Sequence, residues 1–174
     1  SEKEEIEKRL DKLLKEHEEE NDKIRRTLKE INDRSKEEVE RIEERLKDLL
    51  RRLRERIEPR EELKKIEDEV REVIREAREE LEKLNRKDRE IEKTLKKLSD
   101  ELRKKVDDLK KELRTDEDTK RARDRLEELR RESEELIKTA RDLVRRSEKE
   151  HRDLIERLRR ILEELREKLE RKTT

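Results

Sequence analysis

Residues 6–57 read IEKRLDKLLKEHEEENDKIRRTLKEINDRSKEEVERIEERLKDLLRRLRERI, and this stretch decides the fold. Stepping from Ile6 by four, three, four, four and three residues passes through Leu10, Leu13, His17, Asn21 and Ile24. The same steps then give Leu28, Ile31, Ser35, Val39 and Ile42, and continue through Leu46, Leu49, Leu53 and Ile57. Ile6, Ile24 and Ile42 are thus equivalent positions of an eighteen-residue repeat, as are Leu10, Leu28 and Leu46. Five turns of an α-helix take up eighteen residues at 3.6 per turn. A heptad would impose a left-handed supercoil and an eleven-residue repeat a right-handed one. The stripe therefore predicts long helices that lie side by side without winding.

Working outward, the same period recurs twice. It runs from Leu63 through Ile66, Val70 and Val73 to Leu113, and from Ala122 through Leu126 and Leu129 to Leu169. Two segments punctuate the chain. Pro59, within Glu58-Pro59-Arg60-Glu61-Glu62, suits a first helical position, where its missing N–H costs nothing. Thr115-Asp116-Glu117-Asp118-Thr119 is a capping-type cluster that puts acids at a helix start. Connections this short force antiparallel neighbours. The expectation is an all-α, antiparallel, up-down-up three-helix bundle with long, untwisted helices, a single domain over 1–174 with helices at about 4–58, 60–114 and 117–172.

Composition agrees with one buried stripe per helix. Of 174 residues, 64% are charged and 25% apolar, enough for a seam with the remainder solvated. No helix shows a second apolar face, which points to a monomer, although side entries such as Leu14, Ile74 and Ile161 leave room for a homo-oligomer. Basic and acidic residues number 56 each and are mixed along every helix, and no aromatic offers a stacking platform, so nucleic acid is not an expected partner. No apolar run nears the roughly 20 residues of a membrane span, and SEKEEIEKRL has no apolar leader. A soluble protein, cytoplasmic in an expressing host, is expected. Without cysteine there is neither disulfide nor thiolate chemistry.

Polar residues interrupt the stripes, and burying one without a partner costs about 1–3 kcal/mol. Pairing through the first connection sets residue n of the first helix level with about 119 − n of the second, and with about n + 112 of the third. Asn21 then lies level with Ser99 and Ser133, with His17 one turn away. Ser35 lies near Asn85, Asp88 and Ser147, with Asn32 beside it and His151 one turn beyond. At the edge of the stripe, Thr27, Thr94 and Thr139 either combine as a third layer or are simply solvated, and Asn32 and Asn85 share the outward alternative. These layers read as devices for specificity, because each penalises registers that leave its donors and acceptors unmatched.

No catalytic, cofactor or metal site is expected. The two histidines stand about 33 Å apart along the axis at 1.5 Å per residue, too far to share an ion. Asp88 near His151 suggests an acid–base pair, but neither a nucleophile nor a pocket is evident. A pH response through buried histidines is the sharpest functional alternative.

Three charged antiparallel helices resemble a spectrin-type spacer in outline, but that family's aromatics and heptads are missing. The chain is more similar to computationally designed, parametrically generated bundles, straight three-helix types with buried hydrogen-bond networks. The likeness rests on the repeat in all three helices, on Leu, Ile, Val and Ala as the whole apolar set, and on segments such as Glu163-Glu164-Leu165-Arg166-Glu167-Lys168-Leu169. It implies a stable structural scaffold with no natural ligand or biochemical activity, or alternatively a component of a designed assembly.

Overall fold

The computed structural model describes residues 1–56, 60–114 and 118–173. Three helices account for nearly all of it: α1 (Glu2–Arg56), α2 (Arg60–Glu112) and α3 (Thr119–Thr173). The three pack against one another as an all-α bundle, with no strand among the described residues. Helix α1 opens on a cap: the backbone N–H of Glu4 donates to Ser1 Oγ at 3.4 Å. Acids at Glu2, Glu4 and Glu5 and bases at Arg54 and Arg56 match the positive and negative ends of its dipole.

The helix ends differ slightly from expectation. Helix α2 stops at Glu112, and the Arg114 N–H turns back onto the Glu112 carbonyl at 2.9 Å. Helix α3 begins at Thr119, past the acidic cluster, so its first turn carries no acid. The expected roles of Ile57, Glu58, Pro59, Thr115, Asp116 and Glu117 lie outside the described residues.

Packing divides the chain into two compact units, each built from all three helices. The first comprises residues 1–28 and 88–146, the second residues 29–87 and 147–174. In the first unit, Ile6, Leu10, Leu102, Val106, Leu113 and Leu129 lead an apolar cluster; in the second, Val39, Leu46, Val70, Leu84, Leu154 and Leu162 do so. No large apolar side chain among the described residues is exposed.

Cross-helix ion pairs give the register within each unit. In the first, Asp11 pairs with Lys110 and Glu18 with Arg103, antiparallel contacts whose residue numbers add to 121. In the second, Glu43–Arg78 and Arg54–Glu67 obey the same rule. Helix α3 runs parallel to α1: Glu2 meets Arg123 and Glu20 meets Arg141 in the first unit, and Glu38 meets Arg159 in the second. Each of these three pairs is separated by 121 residues, at 2.8–2.9 Å, and successive rungs stand eighteen residues apart. Lys105–Glu132 in the first unit and Lys87–Glu150 in the second show the same spacing between α2 and α3. The repeat thus governs the rim as well as the core. That follows from geometry, since positions five whole turns apart face the same neighbour. Each exposed rung contributes at most about 1 kcal/mol.

Candidate functional site: two histidine–serine layers

Stripe positions that carry polar residues turn those groups inward whatever their chemistry, because the helix face is already committed by the leucines around them. His17 is buried at 3% exposure in the first unit. Its Nδ1 lies 2.9 Å from Ser133 Oγ on α3, and its Nε2 lies 3.0 Å from Ser99 Oγ on α2. Both ring nitrogens are therefore engaged. In the neutral ring one nitrogen donates and the other accepts, and a serine hydroxyl can take either role. Three helices are joined through one imidazole.

In the second unit His151 is buried at 2% exposure, and its Nδ1 lies 2.7 Å from Ser35 Oγ. Both His–Ser pairs join α1 to α3 across a separation of 116 residues. They differ in one respect. The first layer has histidine on α1 and serine on α3; eighteen residues on, the second has serine on α1 and histidine on α3.

The first layer joins three of the residues expected in it, His17, Ser99 and Ser133, and is centred on His17 rather than Asn21. Ser133 lies level with residue 17, an offset of 116 rather than 112, so α3 sits about one turn nearer the start of α1. Asn21 is buried one turn along, and among the described residues no side-chain hydrogen bond joins it to either serine. Asp88 is buried in the first unit, and Ser147 in the second. Asn85 is half-buried, and its Oδ1 has no hydrogen-bond partner. Of the two readings of the threonines, the solvated one holds: Thr27, Thr94 and Thr139 are exposed, and Thr27 Oγ1 donates to its own helix at the Lys23 carbonyl, 2.9 Å away. Threonine readily satisfies itself this way, so an edge position gives it no reason to turn inward.

Sequence reading missed two features. Glu43 is buried to 8% exposure beside the stripe, held by Lys47 at 3.5 Å and by Arg78 of α2. Its place next to Ile42, opposite a basic residue on α2, is the signal that was there to find. The second feature is a groove of about 820 Å³ between α1 and α3 of the first unit. Leu13, Leu126 and Ile137 form its apolar walls, His17 and Ser133 reach its floor, and Arg130 and Lys138 stand among its charged rim. His17 and Ser133, though buried, are thus both among the residues that line a groove. Among the described residues no group of three or more His, Cys, Asp and Glu side chains could hold a metal ion, and no helix is long and apolar enough to cross a membrane.

Burial lowers the His17 pKa from its ordinary value near 6.5, opposed in part by the negative charge of Glu18. The unfolded chain therefore binds the proton more tightly than the folded one. Stability from this group is complete above about pH 6.5 and falls as pH drops through that value toward the lower folded pKa. Below it the loss levels off. The denaturation midpoint is expected to be lower at pH 5 than at pH 7.4, a window above the ordinary carboxylate range, and His17→Leu should remove that part of the difference. Equal midpoints for the parent at both pH values would contradict a desolvated His17. Glu20 acts lower on the scale: its hydrogen bond from Arg141 holds its pKa below the ordinary 4.5.

Comparison with models of known families, with curated proteins and with solved structures finds no match.

Proposed function

We propose that the chain is a designed helical scaffold whose role is structural, and that its buried polar layers hold the three helices in one register. One observation carries this reading: the His–Ser pair recurs after one repeat with its members exchanged between α1 and α3. The consequence is a register code. Apolar stripes with an eighteen-residue period match nearly as well after a slip of one period, so packing alone discriminates weakly. A slip of eighteen residues in one direction would set His17 against His151, and in the other Ser35 against Ser133. The first crowds two imidazoles into the space of one, and both strand buried donors and acceptors, at about 1–3 kcal/mol each. The designed origin is supported by the same period in core, rim and polar layers, and by a chain without Gly, Cys, Met, Phe, Tyr or Trp.

The test replaces His17 by Leu and Ser99 and Ser133 by Ala together. Stability should stay equal or rise, because apolar groups of similar volume replace a desolvated network. Register should broaden, giving more than one distance between spin labels at Asp22 and Lys138, where the parent gives one. A single narrow distance in both proteins would show that packing alone sets the register. Light scattering should give a mass near the 21.8 kDa of one chain; a clean multiple would favour a component of an assembly.

A further inference from the structure

We propose that Ser133 is an acyl acceptor, with His17 as its general base and Ser99 as the group that orients the imidazole, so that the groove of the first unit hydrolyses small activated carboxylic esters. This goes beyond the structural role and does not depend on it. The constellation has the parts that acyl transfer requires: a hydroxyl nucleophile, a base within hydrogen-bond reach of it, and a third group on the far side of the base. Ser133 Oγ lies 2.9 Å from His17 Nδ1, and Ser99 Oγ lies 3.0 Å from Nε2. The productive tautomer carries its proton on Nε2, donated to Ser99 Oγ. That leaves the Nδ1 lone pair to accept from the Ser133 hydroxyl. The three residues come from three different helices, so bundle packing fixes their relative positions.

The groove gives substrate access. Ser133 and His17 both line it, Leu13, Leu126 and Ile137 offer apolar surface for a short acyl chain, and Lys138 supplies positive charge at the rim, whereas Arg130 is held by Glu127 and Glu134. The Lys138 charge favours the oxyanion that develops on the carbonyl oxygen. In the first step, a bond forms between Ser133 Oγ and the acyl carbon while the Ser133 proton passes to His17 Nδ1. The bond from that carbon to the leaving oxygen then breaks, and the proton goes from Nδ1 to that oxygen. Water repeats the sequence: it gives a proton to Nδ1, adds to the acyl carbon, and Ser133 leaves with the proton restored. No oxidant, metal or co-reactant is needed.

The charges around the base are arranged for this role. Burial keeps the His17 imidazole unprotonated at neutral pH, the form a general base requires. On α1, Glu16, Glu18 and Glu20 are its charged neighbours; on α3, Arg130 and Glu134 share its groove; on α2, Arg103 pairs with Glu18 at 3.0 Å. The second layer is an internal control. Ser35 and His151 repeat the His–Ser contact at 2.7 Å and do not line the groove.

The test follows p-nitrophenyl acetate hydrolysis by the full chain, together with mass-spectrometric mapping of a fluorophosphonate label. The parent should exceed free imidazole at equal concentration, and Ser133→Ala and His17→Gln should each lose about tenfold or more of that excess. Ser35→Ala should leave the rate unchanged, and the phosphonate should map to Ser133. The parent rate should rise with pH through an inflection below 6.5 and then stay flat. Ser133→Cys, with helicity checked by circular dichroism, should acylate faster than the parent, since a thiol is the better nucleophile at the same place. Full activity in Ser133→Ala, a label at any other residue, or a folded Ser133→Cys that is not acylated would each overturn the proposal.

Discussion

Leu102→Ala is expected to lower the free energy of unfolding by about 2–5 kcal/mol. Leu102 is wholly shielded from solvent, at 0% exposure, within the apolar cluster of the first unit, and Leu10 and Leu129 stand in the same condition. Truncation removes transfer free energy and leaves a cavity that the surroundings must close. Here they are poorly equipped to do so. The apolar set contains no methionine or aromatic ring that could swing into the space, only Leu, Ile, Val and Ala with few rotamers. The cost should therefore fall in the upper half of the range. Leu13→Ala, at the half-exposed wall of the groove, should cost less. Chemical denaturation gives both values, and hydrogen exchange should show protection lost first at amides of residues 1–28 and 88–146. A loss below about 1 kcal/mol for Leu102→Ala would mean that the stripe is not close-packed.

The second large effect concerns the exchanged His–Ser pair. His17→Ser alone empties the space of an imidazole and leaves Ser99 and Ser133 without it, at an expected cost of about 2–4 kcal/mol. Ser133→His alone forces a second ring beside the first, at about 1–3 kcal/mol. Together the two substitutions rebuild the pair with histidine on α3 and serine on α1, the order that Ser35 and His151 already adopt in the second unit. The double variant should recover much of the loss, with a coupling energy of about 1–3 kcal/mol. Additive losses would show that the layer is held by shape alone and that hydrogen bonding between these two helices contributes nothing.

How much of this was legible in the sequence follows from what a one-dimensional period can encode. Ile6, Ile24 and Ile42 announced one face of a helix, and all three are buried. The number of helices and the approximate positions of the turns followed from the stripe and its two breaks. Cross-helix register was legible only to about a turn, because it depends on how the connections are traversed. That single turn decided whether Asn21 or His17 would meet Ser133. Positions at the edge of the stripe were the least legible. Thr27 could bond its own backbone and did so, whereas Glu43, beside Ile42, is buried and paired with Arg78 of α2. The groove could not be read at all, since it arises from the spacing of two helices rather than from any residue type.

Within the first unit the rungs Glu2–Arg123 and Glu20–Arg141 make α1 and α3 commensurate: both advance by the same whole number of turns between equivalent contacts. The eighteen-residue segment then behaves as the unit cell of a one-dimensional lattice. Length becomes a quantised variable, changed in steps of about 27 Å per helix at 1.5 Å per residue. A spliced cell brings its own leucines, its own rung and a histidine–serine layer of either order. The order of those layers along the chain becomes an address that tells one cell from the next.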